Sequence, residues 1–520
     1  MIDFVTFIRL HADQLLRQTI THIGLTIASL LLALLIGVPL GMLVARYRRL
    51  ASVVLGTAGV LQTIPSIALL GFLIPLLGIG PGPALTALFL YALLPIVRNT
   101  YVGITEVSPA VIDAARGVGM TNAQILRRVQ LPLALPVLFA GIRTATVINV
   151  GVATLAAYVA AGGLGEFIFG GIALSNVSMM LAGAIPAALL AILFDAGLAW
   201  LQRRSVRSLR VSAIALVVLL PVLSGFMLRP GGSDRLVAGF AHEFYGRADG
   251  YPGLHKTYGL QLTPRLIDQN LMYEAIHREQ VDLISGYSTD GRIKAFDLRV
   301  LADPSHAFPP YAAAPVVRQA TLDRYPELAS VLNRLAGRLS DSVMTQLNYQ
   351  ADYLKQSPQA VAREFLEKAG LYRKPAPGER TQTVVMGAKV FTEQYILAEL
   401  YRQLIEGFTN LRVVARTGLG GTQICFDALR TGAIDFYPEY TGTGLLVILQ
   451  PPAPVLKKLP MQPDSVYRFV ADAYARQYRL TWLRPLGFNN SYALMMRQEQ
   501  ARRLGIQSIP DLVRYLDQPR

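Results

Sequence analysis

The stretch VVMGAKVFTEQYILAEL runs from Val384 to Leu400. A short apolar run, Val384 to Met386, meets Gly387 and Lys389. Thr392-Glu393-Gln394 and a helical spacing of apolar residues follow. The pattern predicts a strand, a ligand-facing turn and a capped helix, which is how an α/β domain begins. Yet a long stretch of soluble-looking sequence already precedes it. A domain that starts inside itself is the first clue to the architecture.

The chain has 520 residues, of which 52% are hydrophobic, and a mean hydropathy of +0.38. That is too apolar for a soluble globule and too long for one domain. The long apolar runs lie almost entirely before Met227. The net charge of +15 does not read as nucleic-acid binding, because arginines cluster beside apolar runs, the signature of cytoplasmic loops. One cysteine, Cys425, excludes an intrachain disulfide and a cysteine metal site; it reads as a small buried side chain. The N-terminal MIDFVTFIRLHADQLL lacks the pattern of a cleaved signal and predicts an amphipathic segment at the lipid interface.

Crossing a bilayer takes roughly 20 apolar residues. Candidate spans are 21–45, 52–77, 82–97, 135–160, 178–201 and 211–228. Three arginine clusters fall between them: Arg46, Arg48 and Arg49; Arg98, Arg116, Arg127 and Arg128; Arg203, Arg204, Arg207 and Arg210. If six spans alternate, all three face one side, the cytoplasm. The N-terminus and everything after Leu228 then lie outside. Residues 1–205 form a transmembrane domain, and 206–230 an extra span with its linker.

The loop EVSPAVIDAARGVGMTNAQILRRVQLPLALP, Glu106–Pro136, is neither short nor merely polar. Asp113-Ala114-Ala115, then Gly119, then Val129-Gln130-Leu131-Pro132 predict a short amphipathic helix, a glycine turn and a second short helix ended by prolines. This loop resembles the EAA loop of ABC importer permeases, with Asp113 for the usual Glu and Val129 for the usual Ile. GIRTATVINVGVATLAAYVAAGGLGEFIFGGI, Gly141–Ile172, is similar to the permeases of quaternary-amine (osmoprotectant) importers. The resemblance covers residues 15–205. It implies a type I importer permease fold, plus one extra span, that works as a pair with two ATPase subunits. It also implies that Asp113, Ala114, Ala115, Gly119, Leu131 and Pro132 contact the ATPase. No G-x-x-x-x-G-K-[ST] phosphate loop is present, and GLGGTQ (Gly418–Gln423) lacks the lysine. ATP hydrolysis is therefore expected from a separate subunit, and no cofactor is expected here.

After Leu228 short apolar runs alternate with amphipathic helices, as in an α/β domain. RKPAPGERTQ, 373–382, reads as a linker, dividing 231–372 from 383–520. Both segments resemble the substrate-binding protein of the same importers, which implies a type II fold of two α/β lobes around a cleft. In that family, counterparts of GAKVFTEQYILAELYRQLIE (387–406), GGTQICFDALRTGAIDFYPEYTGTG (420–444) and PLGFNNSYALMMR (485–497) come first. Counterparts of AHEFYGRADGYPGLHKTYGL (241–260), VDLISGYSTDGRIKAFDLRVL (281–301) and FPPYAAAPVVR (308–318) come last. This order is exchanged here, as in a circular permutant. Residues 309–486 are expected in one lobe, and 234–308 with 487–520 in the other. The new ends, near Ser233–Asp234 and RYLDQPR, are expected close together. Exchange of halves between two chains of a dimer is an alternative.

A quaternary ammonium donates no hydrogen bond, so aromatic faces must hold it. The resemblance implies a cage of Tyr287, Tyr311, Tyr440 and Tyr492. It places Arg247 and Lys389 at a ligand's carboxylate, with Thr443 adding a hydroxyl. The bland alternatives are a salt bridge of Arg247 with Asp249 and a solvated strand end for Lys389. Ala388 and Val390 replace the family's polar residues beside Lys389. The expected cargo is glycine betaine, or else choline, carnitine, proline betaine or ergothioneine. A membrane sensor would need a cytoplasmic output domain, for which no sequence remains. An anchored extracellular enzyme would need a nucleophile–base set or grouped histidines, and the six histidines are scattered.

Overall fold

A computed structural model describes residues 4–174, 176–203, 236–375, 380 and 382–518. The chain forms two compact units. One is Met1–Asp234 with Thr263–Leu271, the other Arg235–Leu262 with Met272–Arg520.

The first unit is helical. Ala12–Arg46, Pro81–Thr105, Asn122–Val159 and Val177–Gln202 are each long and apolar enough to cross a membrane. The expected span 52–77 is instead two helices, Ala51–Thr63 and Ser66–Leu77, bent by 99°. The break falls at Pro65, whose ring cannot continue the preceding helix. The expected sixth span, 211–228, lies outside the described residues. Gly37 and Gly41 sit one turn apart against Ile96 and Thr100 of the helix Pro81–Thr105. Gly103 meets Ala134, and Gly141 meets Pro95 and Asn99, in the same way. In lipid there is little hydrophobic drive between helices, so close approach at small residues holds them. Polar bonds add to this: Asn149 Nδ2 donates to Ser29 Oγ at 3.0 Å, and Gln18 Oε1 accepts from the Gly163 N–H at 2.6 Å.

The second unit has two sheets. In one, Ala238–Phe240, Leu283–Tyr287, Tyr492–Arg497 and Leu298–Val300 lie side by side. In the other the order is Leu411–Arg416, Gln382–Gly387, Phe436–Tyr440, Ala313–Arg318 and Leu480–Trp482. This is the division into two lobes that the sequence implies. The second lobe takes one strand from before the 373–382 segment and four from after it. Ala312 bridges Asn489 antiparallel where the chain passes between the lobes, with Asn490 N–H donating to the Tyr311 carbonyl at 3.2 Å. Of the expected permutation ends, Ser233–Asp234 falls outside the described residues. The strand Ala238–Phe240 and the helix Ile509–Asp517 share the first lobe, the helix joined through the Ala302–Ser508 bridge.

Candidate ligand-binding site

Register brings the expected rings together. Tyr492 and Tyr287 are paired across an antiparallel ladder, so both side chains leave the same face of the sheet. Their rings stack at 5.3 Å with a 17° interplanar angle. Tyr311 meets Tyr492 edge-on at 6.1 Å. From the second lobe, Phe391 lies 6.3 Å from Tyr287 and 6.3 Å from Tyr440. Tyr492, Tyr287, Phe391 and Tyr440 thus form a row of rings that crosses from lobe to lobe. Phe391 is the member that the sequence reading missed, although it stands between Lys389 and the TEQ motif it singled out.

Gly442 makes room for this row. A Cβ there would fall 2.5 Å from the Tyr311 ring. Thr441 beside it clamps the crossing segment, donating to the Pro310 carbonyl at 3.0 Å and accepting from the Ala312 N–H at 3.0 Å. Thr443 is buried on the same short helix, Thr441–Thr443.

The two expected cations both have partners. Arg247 makes a two-pronged bond to Asp249 at 2.8 and 2.6 Å and a further one to Glu243 at 2.9 Å. It also lies 5.5 Å over the Tyr492 ring. The salt-bridge alternative for Arg247 therefore describes its geometry. Lys389 is not a solvated strand end: it is buried and donates to Glu439 Oε1 at 2.5 Å and to Thr422 Oγ1 at 3.0 Å. Asp249 further accepts from the Tyr311 hydroxyl.

The helix Thr392–Phe408 is not capped as expected. Its N-cap, Phe391, makes no side-chain cap, and Thr392 donates to Asp352 at 2.5 Å. Glu393, which a capping pattern would turn back on the backbone, instead enters the interior. It accepts from Tyr440 Oη at 2.6 Å, Thr289 Oγ1 at 2.7 Å, Asn490 Nδ2 at 2.8 Å and Asn348 Nδ2 at 2.9 Å. Burial pushes its carboxyl pKa up, and these four bonds oppose that rise.

The cytoplasmic loop departs from expectation at its second half. Pro109–Gly117 is the first short helix. Thr121 starts the second with a reciprocal capping pair to Gln124. The prolines do not end it. A π-helical turn, Leu126–Gln130, leads into Leu131–Ala153, with Pro132 in the first turn and Pro136 inside. A first-turn proline lacks an N–H that would have had no helical partner there. Asp113, Ala114 and Gly119 are exposed, Ala115 is buried, and Leu131 and Pro132 are half-buried. Val118 is 77% exposed at the tip.

A family model for the substrate binding domain of ABC-type glycine betaine transport systems matches residues 229–368 and 382–520, more than half of the chain. The chain belongs to this family. A second model, for the inner membrane component of binding-protein-dependent transport systems, matches residues 37–210. The choline transport system permease protein OpuBB of Bacillus subtilis is 43% identical over 204 residues, covering 39% of this chain and 94% of that protein. The osmoprotectant import permease protein OsmW of Salmonella typhimurium is 48% identical over 207 residues, with coverages of 39% and 94%. Among solved structures, the inward-facing MetNI methionine ABC transporter aligns at 26% identity and a TM-score of 0.33, covering 36% of this chain and 95% of that one. The chain is thus an ABC importer subunit that joins a permease to its own substrate-binding domain. It is a multi-pass inner-membrane protein whose binding domain faces outward, the side the arginine clusters imply.

Proposed function

We propose that this subunit captures a quaternary ammonium osmolyte of the glycine betaine class and passes it inward. A separate cytoplasmic ATPase, present in two copies against a homodimer of this chain, supplies the energy. The row of rings through Tyr492, Tyr287, Phe391 and Tyr440, with Tyr311 at its edge, carries this reading. Each cation–π contact contributes about 0.5–1 kcal/mol when exposed and about 2 when desolvated. Several such contacts reach micromolar affinity, about −8 kcal/mol. Thr443 adds a hydroxyl near Tyr440. The exposed Asp113, Ala114 and Gly119 with Val118 present the knob that the ATPase grips, and Ala115, Leu131 and Pro132 hold its shape. The remaining apolar surface of the spans contacts lipid. Tethering the binding domain raises its effective concentration at the permease.

The binding domain is a circular permutant in this reading. The split of the family match into 229–368 and 382–520, with both strand sets in one lobe, supports it. The 373–382 segment then joins the ancestral ends, and 206–230 carries the domain across the membrane.

One observation favours choline over a zwitterion. Arg247 and Lys389, the groups for a ligand carboxylate, already hold Asp249, Glu243 and Glu439. A cation without a carboxylate needs neither. Carnitine and ergothioneine are the remaining candidates of the class.

Calorimetric titration of the full chain in nanodiscs with glycine betaine, choline, carnitine and ergothioneine tests the reading. At least one is expected to bind, and Tyr287→Ala and Tyr440→Ala to weaken it at least tenfold. Binding that survives both substitutions would move the site elsewhere. Uptake into vesicles with the cognate ATPase separates a transporter from a sensor.

A further inference from the structure

Glu393 is a buried carboxylate, 4% exposed, whose four bonded partners, Tyr440, Thr289, Asn490 and Asn348, are all neutral. All four donate. A protonated carboxyl would turn one oxygen into a donor and set it against them, so the arrangement fits the ionised form. A charge taken out of water without an opposite charge is unfavourable for folding. Four converging donors call for an acceptor-only group, but none of them neutralises its charge, so the fold alone gives no reason for the net charge. Each of the other acids at the site has a cationic partner: Glu439 faces Lys389, and Asp249 and Glu243 share Arg247.

Position gives the reason. Glu393 holds the hydroxyl of Tyr440, whose ring ends the aromatic row. A phenol that donates to an anion is polarised toward the ring, which deepens the negative face a cation meets. The bond also fixes the ring, with Gln394 Nε2 donating to the same oxygen from 3.2 Å. Thr289 and Asn490 come from the first lobe and its crossing segment, Asn348 and Tyr440 from the second. The donor set is complete only when the lobes meet.

We propose that Glu393 is the counter-charge of the aromatic site: it enriches the Tyr440 ring and selects a cation over an uncharged molecule of the same shape. The inference rests on the quaternary-amine reading above. It makes Glu393 a specificity determinant that acts through Tyr440 and through its field.

The test compares choline with its uncharged carbon isostere, 3,3-dimethyl-1-butanol, by competition binding to the full chain in nanodiscs. Wild type is expected to prefer choline strongly. Glu393→Gln keeps the size and removes the charge; its amide NH2 also faces two donors, and the uncharged isostere reads out any rearrangement that this causes. Choline affinity is expected to fall about 10- to 100-fold, the size of one charge–charge interaction at this range in a partly screened interior, while the isostere changes less than about twofold. Tyr440→Phe keeps the carboxylate and the ring but cuts the bond between them, and its choline loss is expected to be smaller, about threefold to tenfold. Equal weakening of both ligands in Glu393→Gln, or the same loss of the isostere in Tyr440→Phe, would make the residue a packing element and overturn the proposal. Unchanged choline affinity in Glu393→Gln would overturn it too. A wild type that binds no quaternary amine would instead remove the reading beneath it.

Discussion

Lys389 Nζ lies 2.5 Å from Glu439 Oε1, with the lysine side chain 6% and the glutamate 0% exposed. Two further donors hold the same carboxylate: Tyr437 Oη at 3.0 Å and the Tyr440 N–H at 2.8 Å. Removing one member of such a pair strands a charge away from water, and typically costs about 3–5 kcal/mol. Glu439→Gln is therefore expected to lower the stability of the binding domain by that amount. Lys389→Met combined with Glu439→Gln is expected to lose less than Glu439→Gln alone. Denaturant unfolding of the purified chain, followed by tyrosine fluorescence, checks this. A double variant as unstable as the sum of the singles would show that the two residues act independently.

The binding domain is expected to lose stability in mild acid through His242. Burial depresses its pKa from 6.5 to about 4, so the folded state keeps the ring neutral where the unfolded chain protonates it. Between pH 6.5 and pH 4 the unfolded state binds more protons, so stability rises with pH in that window and falls on acidification. Above pH 6.5 this group has no effect. Melting temperatures at pH 4.5, 5.5 and 7 should fall toward acid, and His242→Gln should flatten the trend. A His242→Gln profile as steep as wild type would assign the acid sensitivity to other groups.

Much of this architecture is legible in the sequence because the signals are local and periodic. Long apolar runs located the four described helices long enough to span a membrane, and the arginine clusters pointed to their sidedness. Pro65 was visible, but how far a chain bends at a proline depends on what packs beside it. The tyrosines could be placed because each lies on a short strand or next to one, where register decides direction. Lys389 and Glu393 could not. Lys389 read as a ligand group because its partner, Glu439, is distant in sequence and joins it only through the parallel pairing of Gln382–Gly387 with Phe436–Tyr440. Glu393 read as part of a helix cap because capping is the local use of an acid there, and its four partners come from four separate elements.

Gly119 is expected to matter for coupling and not for ligand capture. It has φ +82°, and a Cβ added there would meet nothing within 4 Å. Any effect of Gly119→Ala is then backbone strain, about 1–2 kcal/mol for a side chain forced into the left-handed region. The strain would reshape the turn between the helices Pro109–Gly117 and Asn122–Ile125. Ligand affinity should be unchanged, and uptake with the ATPase should fall severalfold. Gly117→Ala is the control, since that position is helical, has open space and gains helix propensity. Equal effects of the two substitutions would dismiss the turn as a coupling element.

Arg143 and Asp195 form a two-pronged ion pair, with both bonds at 2.8 Å, between the helices Leu131–Ala153 and Val177–Gln202. Their side chains are 34% and 37% exposed. At 1.5 Å per residue, Arg143 lies about 18 Å along its helix from Leu131, and Asp195 about 10 Å from Gln202. Both residues therefore lie inside helices long and apolar enough to cross a membrane. Charged residues within such spans are generally paired and face protein or water rather than lipid tails. Asp195→Asn would leave the arginine unpaired and is expected to lower uptake at least tenfold while leaving ligand affinity unchanged. The exchanged pair, Arg143→Asp with Asp195→Arg, can re-form the contact and is expected to recover a substantial part of the loss. An exchange no better than Asp195→Asn, at equal amounts of protein in the membrane, would mean that one of the two charges has a task beyond pairing.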